Sequence, residues 1–328
     1  MSTIRRILFA VKDPWARSLP ALEKATQLAR ALEARVQLFH ALSNPLYIDV
    51  AEIEGLTLSQ LEQTERARAA ARLAKLAERV RKAGVRVEST VEWDFPPHEA
   101  VIRAARAFEA DLIVAECHPT AHHLPWLLRF TDFELLRLAP VPVLLIKTRR
   151  SYRHPAILAA VDPTHAYSKP LKLDREILRS ATQLAQALRG SLHAVFAYDP
   201  LPVVALEGLA LSGVMDTIAI ETETHAKKAL AGALNGASIP PSRRHVLPRH
   251  PIDAIRDAVQ ETGCGLVVMG AISRSGFKRL VLGNTAERVL DELPCDVLVV
   301  KPKRFPNRVP RARRGPQLMT VPVIEPGM

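Results

Sequence analysis

The chain repeats itself. Residues 266–301 lie over residues 112–147 without a gap, at a constant offset of 154, and the closing lysines Lys301 and Lys147 coincide. Nearer the start, Ile7-Leu8-Phe9-Ala10-Val11 returns as Ile157-Leu158-Ala159-Ala160-Val161. The run A-T-Q-L-A-R-A-L at 25–32 returns as A-T-Q-L-A-Q-A-L at 181–188. A length of 328 residues already suits two domains. Self-similarity at this spacing makes them a tandem duplication. The reading places a first domain at 1–148, a second at 155–303 and a tail at 304–328, with a short polar join around Thr148 to His154.

Within each half, short apolar runs alternate with helical patterns. In the first half the runs are Ile7 to Val11, Val36 to Leu42, Val85 to Val91, Leu112 to Ala115 and Val141 to Ile146. Between the first two, Leu22, Ala25, Leu28, Ala29 and Leu32 recur at helical spacing. Later, Leu73, Leu76, Ala77 and Val80 form an apolar stripe, with Arg66, Arg68, Arg72, Glu78 and Arg79 on a solvated face. Strands alternating with helices predict an open parallel α/β sheet.

With 48% hydrophobic residues the chain can bury a sizeable core, yet no apolar run approaches the ~18 residues of a membrane span. The apolar run before Lys12 is a strand's length, not a signal peptide's. Cys117, Cys264 and Cys295 have no regular spacing and suit a reducing compartment, so the expected location is cytoplasmic. The net charge of +11 invites a nucleic-acid partner, but seven basic residues and one acid fall between Lys301 and the end. The rest is mildly basic with no aromatic-interleaved stripe, so neither nucleic acid nor membrane is an expected partner. The tail's proline content predicts disorder.

One stretch suggests ligand chemistry. Leu266 to Met269 reads as a buried strand and ends at Gly270. A loop with Ser273, Ser275 and Gly276 follows, and Gly283-Asn284-Thr285 opens a helix. Glycine lets backbone approach a ligand, and a helix N-terminus attracts anions. The plainer reading makes these glycines turn formers joining strand to helix. Cys117, His118, His122 and His123 are metal-ligand types at close spacing, but Pro119 interrupts them and no metal is expected. His40, His98, His193 and His250 lie at strand or loop ends, where satisfied core or surface histidines are the ordinary case. Trp93-Asp94 falls at a strand's carboxyl end, either as core or as part of a site. The apolar segments Leu201 to Ala219 and Leu46 to Leu58 either line a cavity or pack the domains together. No nucleophile elbow, zinc-protease motif or complete Walker loop occurs, so the chain reads as a binding protein and not as an enzyme.

G-N-T-A-E-R-V-L-D-E-L-P-C-D-V-L-V-V-K-P in the second half, T-D-F-E-L-L-R-L-A-P-V-P-V-L-L-I-K in the first and V-E-W-D-F-P-P-H-E-A-V-I-R together resemble the universal stress protein family in its tandem form. The resemblance covers nearly everything but the tail. It implies two open, doubly wound, five-stranded parallel-sheet domains, with the last strand of one pairing with the last strand of the other as an intrachain pseudo-dimer. Further assembly into a homodimer is compatible with it. It also implies an adenine-nucleotide site, with an Asp after the first strand and G-x2-G-x9-G-[ST] around the phosphates.

Asp162 matches the first feature, and Gly270, Ser273, Gly283 and Asn284 occupy the motif positions. Ser273 replaces a Gly and Asn284 a Ser or Thr, with Thr285 next in line to supply a hydroxyl. In the first half Glu116, Pro119, Arg129 and Phe130 stand at those positions, leaving Asp13 without a phosphate loop to serve. The resemblance therefore implies ATP in the second domain only, and a stress-response role that includes resistance to DNA damage. The alternative is a scaffold for a small apolar ligand or a protein partner that has lost ATP.

Overall fold

The computed structural model describes residues 4–44, 46–47, 57–117, 125–164, 173–198, 212–271, 292–303 and 305–319. The first repeat supplies β1 (Arg6–Ala10), α1 (Pro20–Ala31), β2 (Arg35–Leu42), β3 (Leu46–Tyr47), α2 (Leu58–Lys82), β4 (Val87–Trp93), α3 (Pro97–Ala107), β5 (Leu112–Glu116), α4 (Pro125–Leu138) and β6 (Val143–Ile146). The second supplies β7 (Ala156–Ala160), α5 (Leu173–Ala187), β8 (Ser191–Ala197), α6 (Ser212–Ala233), β9 (Arg244–Leu247), α7 (Pro251–Thr262), β10 (Leu266–Gly270) and β11 (Asp296–Val300). The tail adds β12 (Leu318–Met319).

The chain packs as two units, residues 1–116, 121–139 and 307–328 in the first and 117–120 and 140–306 in the second. The first unit's sheet runs β4-β2-β1-β5, all parallel. In the second unit the order is β6-β11-β10-β7-β8-β9, parallel except at β6. There Val143, Leu144 and Leu145 run antiparallel to Val299, Leu298 and Val297. This is the terminal-strand pairing that the family resemblance implied.

The sequence explains these placements. Every residue of β5, β6, β10 and β11 is buried, as strands covered on both faces require. Edge strand β4 exposes Glu88 and Ser89, which discourages pairing with another chain. α1 turns Leu22, Ala25 and Leu28 inward, and its counterpart α5 turns Ile177, Ala181 and Leu184 inward. α2 starts with a capping box between Thr57 and Gln60. The repeats even share their helix exits: Glu33 and Arg189 are both left-handed at φ 52°, and Glu109 at 51° matches Gly263 at 60°.

The join between repeats is pinned by one carboxylate. Asp296, fully buried at the start of β11, accepts hydrogen bonds from the amides of Lys147 (2.9 Å) and Thr148 (3.0 Å), the Thr148 hydroxyl (3.1 Å) and the Tyr152 hydroxyl (2.7 Å). Burial, and then the neighbouring Asp296 charge, raises the Tyr152 phenol well above its ordinary pKa, which keeps it a donor.

Residues 305–319 of the tail, expected to be disordered, instead hold defined positions, and those from 307 onward belong to the first unit. Val309 is buried, and β12 pairs in parallel with β3. The Arg314 amide donates to Asp94 (2.9 Å), and its guanidinium grips both Glu99 oxygens (3.0 and 2.8 Å). Arg313 pairs with Glu92 at 2.6 Å. Beneath them Arg103 donates twice to the fully buried Asp94 (3.0 and 2.6 Å) and once to Glu99 (3.1 Å). Burial opposes ionisation of Glu99, but the hydrogen bonds from Arg314 and Arg103 outweigh it and hold its carboxyl below the usual range. The tail's proline content favoured disorder; residues 313 and 314 instead meet carboxylates on α3 and at the end of β4.

Two outcomes follow from these contacts. Asp296→Ala should lower unfolding stability by about 3 kcal/mol in urea denaturation, since it strands several buried donors; a change under ~0.5 kcal/mol would mean the carboxylate does not pin the join. Trypsin should cut after Arg313 and Arg314 slowly in low salt, and several-fold faster in molar salt or in Glu99→Gln. Equal rates in all three would rule out a docked tail.

Candidate functional site

In the second unit the chain builds outward from β7 through β8 to β9, then returns to place β10 on the other side of β7. That reversal makes the carboxyl ends of β7 and β10 a topological switch point, where open α/β sheets leave a crevice for ligands. Asp162 and Gly270, singled out from the sequence, stand on its two sides.

Val161 extends the β7 ladder through its amide to Val195 O at 3.0 Å, and Asp162 comes next, 7% exposed. The Asp162 amide donates to Asp174 in the first turn of α5 (3.1 Å), and its carboxylate accepts from the Thr164 hydroxyl (3.2 Å). Gly270 is the last residue of β10 and pairs with Val300. A Cβ at Gly270 would lie 2.5 Å from Leu173 Cδ2 and 3.3 Å from Ile177 Cδ1, so α5 packs straight onto the strand end. A larger residue here would have to displace the Leu173 side chain, so helix packing favours the glycine for a reason distinct from both the turn and the phosphate readings.

Next along the sheet, β11 ends at Val300 and is followed by Lys301, which the sequence marks only as a repeat position. It is 5% exposed, its ammonium lies 4.5 Å from the centre of the Phe305 ring, and burial lowers its pKa to about 7. Three neighbouring strands thus lead to a carboxylate, a bare backbone and an amine. Ser273, Gly283, Asn284 and Thr285 lie outside the described residues.

The first unit has its own switch point, between β1 and β5. Val11 donates to Phe39 O (2.8 Å) as Val161 does to Val195 O, so Lys12, and not Asp13, occupies the place of Asp162. Lys12 pairs with the buried Asp132 of α4 at 2.6 Å. Glu116, 5% exposed, ends β5 where Gly270 ends β10. Asp13 instead receives the Trp15 amide at 2.8 Å and closes a local turn. Carboxylates therefore stand where a phosphate would need donors.

The remaining candidates resolve into structure. His40 is buried, donates from Nδ1 to Val11 O at 2.7 Å, and has its pKa lowered chiefly by burial. His250 caps α7 by accepting from Ile252 N (3.4 Å), and His193 Nδ1 lies 3.2 Å from His245 Nε2 across β8 and β9. Trp93 is buried with its Nε1 on Asn44 O (3.2 Å), while Asp94 is engaged by Arg103 and the tail. Cys117 is described, whereas His118, His122, His123 and most of the segments 46–58 and 201–219 are not. Among the described residues no group of three or more His, Cys, Asp or Glu could hold a metal, and no helix is long and apolar enough to cross a membrane.

Gly270→Ala should destabilise the fold by ~1–3 kcal/mol in urea denaturation, because the added methyl collides with Leu173. An unchanged midpoint would remove the packing account of this glycine.

Comparison with known proteins places this geometry. The model of the universal stress protein family matches residues 3–147 and again 156–301. Universal stress protein E of Salmonella typhi is 28% identical over 305 residues, covering 92% of this chain and 96% of its own length. Its namesake from Escherichia coli K12 is 27% identical over the same span. A solved structure of a functionally unknown protein from Pseudomonas aeruginosa PAO1 superposes with a TM-score of 0.68 at 25% identity, covering 92% of this chain and 94% of that one. A universal stress protein from Archaeoglobus fulgidus shares the fold, with a TM-score of 0.60 at 16% identity over 91% of this chain and 97% of that one. Two family domains following one another through most of its length make this chain a member of the universal stress protein family.

Proposed function

We propose that the protein is a stress-response binding module whose second unit takes an adenine nucleotide, ATP in the first instance. The observation that carries this reading is the contrast between its two switch points. In the second unit Gly270 ends β10, Asp162 and Lys301 lie just past the ends of the neighbouring strands β7 and β11, and Ser273, Gly283, Asn284 and Thr285 follow Gly270 in the chain. Asp162 would accept from the adenine amine, and the backbone past Gly270 would face the phosphates. In the first unit the equivalent places hold Lys12, already paired to Asp132, and Glu116, which supports one nucleotide site per chain. The role is binding and not catalysis, in the cytoplasm, supporting survival under stress that includes DNA damage.

A second reading has its own support. Gly270 is accounted for by the approach of Leu173 without any ligand. On that reading the unit has lost nucleotide binding and serves a small apolar ligand or a protein partner.

Isothermal calorimetry with ATP separates the two. The nucleotide reading expects saturable binding, weakened about tenfold by Asp162→Ala, or ~1.4 kcal/mol, and abolished by Gly283→Val. No heat from the native chain at millimolar ATP would favour the second reading.

A further inference from the structure

The tail that docks on the first unit is also the most one-sidedly charged stretch of the chain. Arg308, Arg311, Arg313 and Arg314 fall within seven positions, and no acid follows Lys301 until Glu325. All four arginines are exposed. They meet a compact acidic cluster. Glu92, Asp94 and Glu99 supply three negative charges, and the buried Arg103 beneath them returns one positive charge. Arg313 on Glu92 and Arg314 on Glu99 match the remaining two. Arg308 and Arg311 bring the tail two charges beyond that balance.

The docking can be undone without stranding a buried charge. Arg103 donates twice to Asp94 and once to Glu99, so both acids keep a partner when the tail leaves. Arg313 and Arg314 keep side-chain exposures of 58% and 57%, and ion pairs this open contribute little and weaken with salt. The other anchors are slight. They are the buried Val309, the Arg314 amide on Asp94 (2.9 Å), Arg103 on Pro310 O (3.4 Å) and the two-residue ladder of β12 on β3.

We propose that the tail is a binding segment for inorganic polyphosphate, held in reserve by Glu92, Asp94 and Glu99. Phosphate offers a guanidinium the same two-oxygen geometry as a carboxylate, and a polymer of it offers that geometry to several arginines at once. Recognition would run through phosphate alone. Between residues 305 and 319 the one aromatic side chain is Phe305, whose ring lies against Lys301, so the segment brings no ring to stack on nucleic-acid bases. Polymer and acidic cluster therefore compete for Arg313 and Arg314. Binding would free the end of β4 and the start of α3, whatever the second unit holds.

The test measures fluorescence anisotropy of labelled inorganic polyphosphate with the full chain, between about 50 and 200 mM salt. The native chain should bind, less tightly as salt rises. A full-length variant with Arg308→Gln, Arg311→Gln, Arg313→Gln and Arg314→Gln should bind at least about tenfold more weakly. Glu92→Gln with Glu99→Gln should bind about tenfold more tightly than native, because the competing carboxylates are gone. Glu65→Gln with Glu78→Gln makes the same charge change on α2, where those acids pair with Arg68 and Arg81, and should shift affinity by less than about twofold. Equal gains in the two glutamate variants would overturn the proposal, as would an arginine variant that binds like the native chain. So would no binding at low salt, or single-stranded DNA of equal phosphate count binding as tightly as polyphosphate.

Discussion

Much of the architecture depends on a carboxylate that no solvent reaches. Asp296 starts the last strand of the second repeat, and its oxygens collect two backbone amides and two hydroxyls from residues 147–152. A buried charge without partners costs several kcal/mol, so these donors are obligatory once β11 is in place. By holding the join, Asp296 holds β6 next to β11, and the antiparallel pair covers an edge that would otherwise be apolar and open. The strand anchored at its start by Asp296 ends at Val300, the partner of Gly270 on β10, and Lys301 follows.

Duplication kept the backbone and changed the chemistry. Left-handed residues at equivalent helix exits, Glu33 with Arg189 and Glu109 with Gly263, show how closely the repeats still agree. The strand ends do not agree. Lys12 replaces Asp162 and Glu116 replaces Gly270, so the first switch point has its lysine engaged by Asp132 and its strand end filled by a carboxylate. The second retains a bare backbone at Gly270, at the cost of letting a helix residue, Leu173, fill the space above it.

The fold was legible because duplication doubles every signal: Ile7 to Val11 and Ile157 to Val161 mark the same strand twice, and the final strands mark the same pairing surface. Gly270 was legible as the end of an apolar strand, and Asp162 was singled out because the family resemblance implies an Asp after the first strand. The tail was not. Its proline and arginine content is that of a solvated segment, and its partners Asp94 and Glu99 lie more than 200 positions away, where nothing local distinguishes them from surface acids. Lys301 was read as a repeat marker because burial beneath a neighbouring ring is a tertiary fact. The packing role of Gly270 was hidden for the same reason: it depends on where Leu173 lands.

The central claim is that one of two duplicated sites still binds. Native mass spectrometry of the intact chain, with and without added ATP, counts bound nucleotide directly. The account predicts a single added nucleotide mass per chain at saturation, unchanged when Lys12 is replaced by alanine. Two nucleotides per chain, or none at saturating ATP, would contradict it.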